Sequence, residues 1–186
     1  CAHIHTSVTP RGVEPADDAV TVTLKDVMCD LREGWYIRRG ESCLNGAFLP
    51  SASSVDRGPG TVVTLHATMV VGKGKRGKGK RCSRMVTNAT VYRRAAKNWT
   101  FSSTDSVEWA EVVTLSVESL RDLAVSHLLL ELFAGDTFIA DTRVPIEEYV
   151  DPDERTHDIK FDLRSHPQMY FAGSLVASMR IIVPTP

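Results

Sequence analysis

Ten residues, Gly72 to Arg81, read GKGKRGKGKR and place six basic side chains among four glycines. Two phosphate-cradling patterns fit this run. Gly72, Gly74 and Gly77 satisfy G-x-G-x-x-G. Gly74 to Lys80 satisfies G-x-x-x-x-G-K, with Arg81 where a Ser or Thr would meet magnesium. Either cradle needs a strand before it and a helix after it, because a helix N-terminus supplies the N–H groups that hold phosphate. Here TVVTLHATMVV precedes the run and CSRMVTNATVYRR follows it. Both flanks are rich in Val, Thr, Met or Tyr and read as strands, so the run is expected to be the tip of a long β-hairpin. Its glycines permit positive φ in the connection and a mobile tip.

The chemistry left to such a tip is electrostatic. Lys73, Lys75, Arg76, Lys78, Lys80 and Arg81 are the candidate contact for an anionic membrane lipid or an acidic protein partner. Nucleic acid is not the expected partner, since no aromatic residue lies inside the run to stack on bases. A solvated tip without a partner is the alternative. The charge is local: the 22 basic residues of the chain less these six leave 16 against 23 acidic ones, a balance of −7. A nucleic-acid-binding domain is usually basic over a broader face.

Other chemistry-bearing residues form weaker patterns. His3-x-His5 beside Cys1 has metal-donor types in a lead-in segment. His66 shares a strand face with Thr64 and Thr68, and His127 opens an apolar strand. The Asp151-Pro-Asp153-Glu154 cluster reads as a turn cap, with a paired-carboxylate site as the alternative. No zinc-protease or nucleophile-elbow pattern is present, so no catalytic residue is assigned, no enzyme activity is expected and no cofactor is implied. The four cysteines, Cys1, Cys29, Cys43 and Cys82, lack metal-site spacing and read as free or buried thiols; a Cys29–Cys43 disulfide is the secreted-protein alternative. Two sequons, at Asn88 and Asn98, point the same way without deciding the compartment.

The elements that position these residues are strands. The 186 residues suffice for one domain with one core, and no apolar run approaches the ~18 residues of a membrane span. Residues 1–18 read as an extended lead-in and 19–184 as one sandwich, with a long Gly/Pro-rich loop over 29–60. Strands are expected at 19–27, 61–71, 84–94 and near 108–117, then at HLLLELF, DTFIADTRVPI, HDIKFDL and GSLVASMRIIVP. In the seventh, Ile159, Phe161 and Leu163 take one face against Asp158, Lys160 and Asp162. In the last, Leu175, Ala177, Met179, Ile181 and Val183 share a face. VESLRDLAV adds one or two helical turns, with Leu120 and Leu123 inward. Eight short strands and no covering helix imply an all-β, antiparallel β-sandwich.

The order of these fragments resembles the C2 domain family. AVTVTLKDVMCDL is similar to the opening strand, and VEWAEVVTLSV to the Trp-x-Glu strand, with Trp109 and Glu111 in the key positions. HLLLELFAGDTFIADTRVPIEEY is similar to the paired strands that end in a Pro-Ile turn, and GSLVASMRIIVP to a Gly-led strand ending in Pro. With that strand last, the resemblance implies the circularly permuted, type II order. Trp109, beside Val107 and Val112, is expected to anchor the two sheets.

Calcium-binding members carry several Asp in two loops at one end, to satisfy an ion that wants six to eight oxygens. Here Ala134 stands where a first Asp is expected, Asp136 remains near the tip, and Asp30 and Asp56 are far apart. The resemblance therefore implies a degenerate calcium loop at Asp136, no metal site and a basic hairpin away from that end. The expected function is a calcium-independent, non-catalytic docking module of a larger intracellular protein. It would be cytoplasmic, peripheral at a membrane or the cytoskeleton. The alternatives are a structural or assembly β-sandwich packed against other subunits, and a glycosylated extracellular one.

Overall fold

The computed structural model describes residues 19–31, 59–72, 79–94, 104–118, 120–165 and 170–184. The expected lead-in over 1–18 and most of the loop over 29–60 lie outside the described residues. The strands are β1 (Val20–Leu31), β2 (Val62–Val71), β3 (Lys80–Thr90), β4 (Tyr92–Arg94), β5 (Thr104–Trp109), β6 (Val113–Val117), β7 (Ser126–Ala134), β8 (Thr137–Pro145), β9 (Thr156–Ser165) and β10 (Tyr170–Ile182). A short helix, α1 (Leu120–Leu123), joins β6 to β7 and buries Leu123. No helix among the described residues is long and apolar enough to cross a membrane.

All pairings are antiparallel, in the order β3-β2-β7-β8-β9-β10-β1-β5-β4, with β6 also beside β1. The path folds into two layers, because β8 and β9 share only the Asp141–Arg164 pair and β3 returns to touch β5 and β6. The eight expected strands are all present. The higher count comes from interruptions at Val91 and at Ala110–Val112, which cut two of them. The last strand lies between β9 and β1.

Alternation of apolar and polar residues builds the core. Val63, Leu65, Ala67 and Met69 of β2 face Leu128, Leu130 and Leu132 of β7 in one layer, and Leu175, Ala177, Met179 and Ile181 of β10 line the other. Each fully buried Leu or Val stabilises the fold by about 1.5–3 kcal/mol. On β9, Ile159 and Leu163 are buried and Phe161 packs against the core, while Asp158, Lys160 and Asp162 are exposed.

Two boundaries differ from expectation for one physical reason. Along β1 the buried positions are Val20, Val22 and Leu24, then Val27, Cys29 and Leu31. The phase changes at a bulge between Lys25 and Met28, where Asp26 takes a φ of 52°. An extra residue moves the following side chains to the other face, so β1 runs on to Leu31 rather than ending at Val27. The bulge falls where β1's partner changes from β6 to β5, across the interruption at Ala110–Val112. Val112 is therefore exposed instead of sharing the inner face of Trp109 and Val107.

Candidate functional site

The basic run occupies the β2–β3 hairpin. β2 ends at Val71 and β3 begins at Lys80, so Lys80 and Arg81 belong to a strand and the tip is shorter than 72–81. Lys73, Lys75, Arg76 and Lys78 lie outside the described residues. Gly72, at a φ of 69°, turns the chain and donates its N–H to the Val125 carbonyl at 2.9 Å. Val71 pairs with Ser126, whereas Val63 pairs with Ala134, so the hairpin lies at the end opposite the β7–β8 turn of Asp136.

A second bulge sets the direction of the strand cations. Met69 pairs with Ser83 and Val70 with Arg81, which leaves Cys82 unmatched. Arg81 thereby joins Arg84, Val86 and Asn88 on the outer face of the β3-β2-β7-β8 layer. Lys80 turns toward β6 and meets Glu118 at 3.7 Å. Three rows of side chains cross that outer face. The first is Arg81, Val70, His127 and Pro145; the next is Arg84, Thr68, Leu129 and Arg143. The third, Val86, His66, Glu131 and Asp141, brings two carboxylates. Thr68 is fully buried at the centre, and its hydroxyl has no partner among the described residues.

His66 is the best-defined group on this face. Its Nδ1 accepts from the Arg84 guanidinium at 2.5 Å. Arginine can only donate, so Nδ1 carries a lone pair and the ring is neutral. The ring lies 4.5 Å from Phe133, tilted by 34°, and Phe133 meets Phe138 edge-on at 5.6 Å. Burial, and then the Arg84 charge, hold the imidazole below its ordinary range. His127 is held low in the same way, by burial and then by Arg143. Thr64 donates its hydroxyl to Oδ1 of Asn88 at 2.6 Å, so the first sequon sits exposed on this face; Asn98 lies outside the described residues.

The other candidates fall elsewhere. At the far end Ala134 is buried, Gly135 turns the chain at a φ of 55°, and Asp136 is exposed. Asp30 accepts from the Ser106 hydroxyl at 2.6 Å, and Asp56 is outside the described residues. Among the described residues no three His, Cys, Asp or Glu side chains gather in a metal-holding group. The Asp151–Glu154 cluster caps a turn: Asp151 Oδ1 accepts the Asp153 N–H at 2.8 Å, and Arg180 donates to the Glu154 carboxylate at 2.6 Å. Cys29 is buried in the core with no disulfide partner among the described residues, and Cys43, its expected alternative partner, lies outside them. His3, His5 and Cys1 are also outside them.

Sequence reasoning missed Arg84 and Arg143 as members of the basic face. Their exposure was legible from alternation, but the pairing of β2 with both β3 and β7 that aligns them was not.

No protein-family model matches the chain, and no curated protein does. Solved structures similar to it include the C2A domain of plant extended synaptotagmin 1, at a TM-score of 0.48 and 12% identity over 91% of this chain and 98% of that one. Another is described as "CC2D1B coordinates ESRCT-III activity during the mitotic reformation of the nuclear envelope", at a TM-score of 0.44 and 10% identity over 91% of this chain and 56% of that one. The SMP–C2A–C2B structure of extended synaptotagmin 2 gives a TM-score of 0.42 and 12% identity over 90% of this chain and 29% of that one. All three likenesses lie below a TM-score of 0.5, and the β-sandwich itself is read from this chain's own strand pairings.

Proposed function

We propose that this C2-like sandwich is a calcium-independent, non-catalytic docking module that holds an anionic membrane surface through its β2–β3 hairpin and the adjoining outer face. One observation carries the reading: the hairpin's strand cations do not end at the tip but continue across the layer as Arg81, Arg84 and Arg143. Exposed cations spread over several strands of one sheet face suit a surface better than a small ligand. Each one near an anionic bilayer contributes about 1 kcal/mol, so the run and the face together supply several kcal/mol before ordering costs. Such a contact weakens with salt, because the charges stay solvated and the Debye length is about 8 Å at physiological ionic strength. The same chemistry would place the module at a cytoplasmic membrane leaflet, as a peripheral part of an intracellular protein.

The test is co-sedimentation with phosphatidylserine-containing vesicles at low and high salt, with and without calcium. The wild type is expected to bind at low salt, to release at high salt, and to ignore calcium. Replacing Lys73, Lys75, Arg76, Lys78, Lys80 and Arg81 by Ser or Gln is expected to abolish retention with little change in melting temperature. A wild type that ignores anionic vesicles at low salt refutes the membrane reading; capture by an acidic protein surface instead would favour an assembly role.

A further inference from the structure

Resting on the docking reading above, we propose that contact with an anionic membrane puts a proton on His66 and on His127, so that acidification tightens docking.

The argument starts from the free face. His66 stands among Arg84 and Val86 on β3, Glu131 and Phe133 on β7, and Thr64 and Thr68 on its own strand, with Asp141 one strand further on β8. Nδ1 receives an Arg84 N–H, and Arg84 has no lone pair to give in return. A proton on Nδ1 would put two donors face to face, so the free pair holds a neutral ring. His127 stands among Val70 on β2, Pro145 and Arg143 on β8, and Leu129 on its own strand, with Arg81 one strand beyond Val70. Its charge-bearing neighbour is again an arginine.

An anionic oxygen reverses this arrangement. Phosphate or carboxylate oxygen accepts from both partners, so a lipid head group between Arg84 and His66 turns two competing donors into two cooperating ones. The proton comes from solvent and no other group is consumed. The bond at Nδ1 of His66 comes from Arg84, with Glu131 across from the ring on β7 and Asp141 one strand further, so an added anion is what supplies one acceptor to both Arg84 and the ring. Proton uptake on binding and tighter binding at lower pH are then the same quantity by linkage.

The experiment measures vesicle binding at low salt from about pH 8 to about pH 6, a window in which histidine titrates. The vesicles mix phosphatidylserine with phosphatidylcholine, and phosphatidylserine keeps its net charge across it. Wild type is compared with the double variant His66→Gln and His127→Gln, in which each Gln stays neutral and still offers its arginine an acceptor. Wild-type affinity is expected to rise several-fold toward low pH, while the folded variant's affinity, whatever its level, stays flat. In weak buffer near pH 7, mixing wild type with the vesicles is expected to take up protons. Binding without pH dependence, a pH rise retained by the variant, or binding without proton uptake each overturns the inference and leaves docking intact. A wild type that binds at no pH overturns both.

Discussion

Arg84 donates to Nδ1 of His66 across the β2–β3 pair at 2.5 Å, holding an imidazole in its neutral form on an exposed sheet face. The relationship has a consequence for the free domain. Burial and the neighbouring arginines lower the pKa of His66 and His127 in the fold, whereas the unfolded chain titrates near the ordinary value of about 6.5. As pH falls, the unfolded chain takes up protons first. The contribution to stability is complete above about pH 6.5 and is lost as pH drops through that value toward the folded ones. Melting curves from about pH 8 to about pH 5 should show a falling midpoint in the acidic half, and His66→Gln should make that fall shallower. Docking reverses the sign, since a bound anion favours the charged ring.

Gly173 begins the second run of β10, at a φ of 154° and at a register shift between Phe171 and Gly173. A Cβ there would run into the carbonyl oxygen of Asp30 on β1. Gly173→Ala is expected to destabilise the domain by about 1–3 kcal/mol, from backbone strain and separation of the central strands. Denaturant midpoints against wild type check this, and an unchanged midpoint would refute the close approach.

Trp109, at the end of β5 and paired with Val27 of β1, is buried in the core, and its indole Nε1 has no hydrogen-bond partner among the described residues. Trp109→Ala should cost about 3–5 kcal/mol through the cavity it leaves. Trp109→Phe should cost distinctly less, because no bond to the indole N–H is broken. Equal losses in chemical denaturation would show that the N–H has a partner.

Cys29 is buried on β1, and its thiol is pushed far up, by burial first and the Asp30 charge second. Only a thiolate reacts readily. Alkylation followed by peptide mass measurement should leave Cys29 unlabelled in the native protein and label it on unfolding, with the part-exposed Cys82 reacting sooner. Native labelling of Cys29 at a rate matching Cys82 would mean that β1 opens readily.

The sequence by itself determined the strands and their faces. Period-two alternation is a local property, so Ile159 and Leu163, or Leu175, Ala177, Met179 and Ile181, could be turned inward without knowing their neighbours. The hairpin was legible because glycines between two β-branched runs have one common use. The tertiary structure decided what alternation cannot encode. A bulge is one residue's backbone choice, and at Asp26 and Cys82 it changes which face every following side chain takes. Sheet order is equally non-local: only the placement of β2 between β3 and β7 sets Arg84 beside His66 and puts Arg84 in one row with Arg143 on β8. Cross-strand neighbours lie about 5 Å apart in space but tens of residues apart in the chain, and no short-range pattern carries that information.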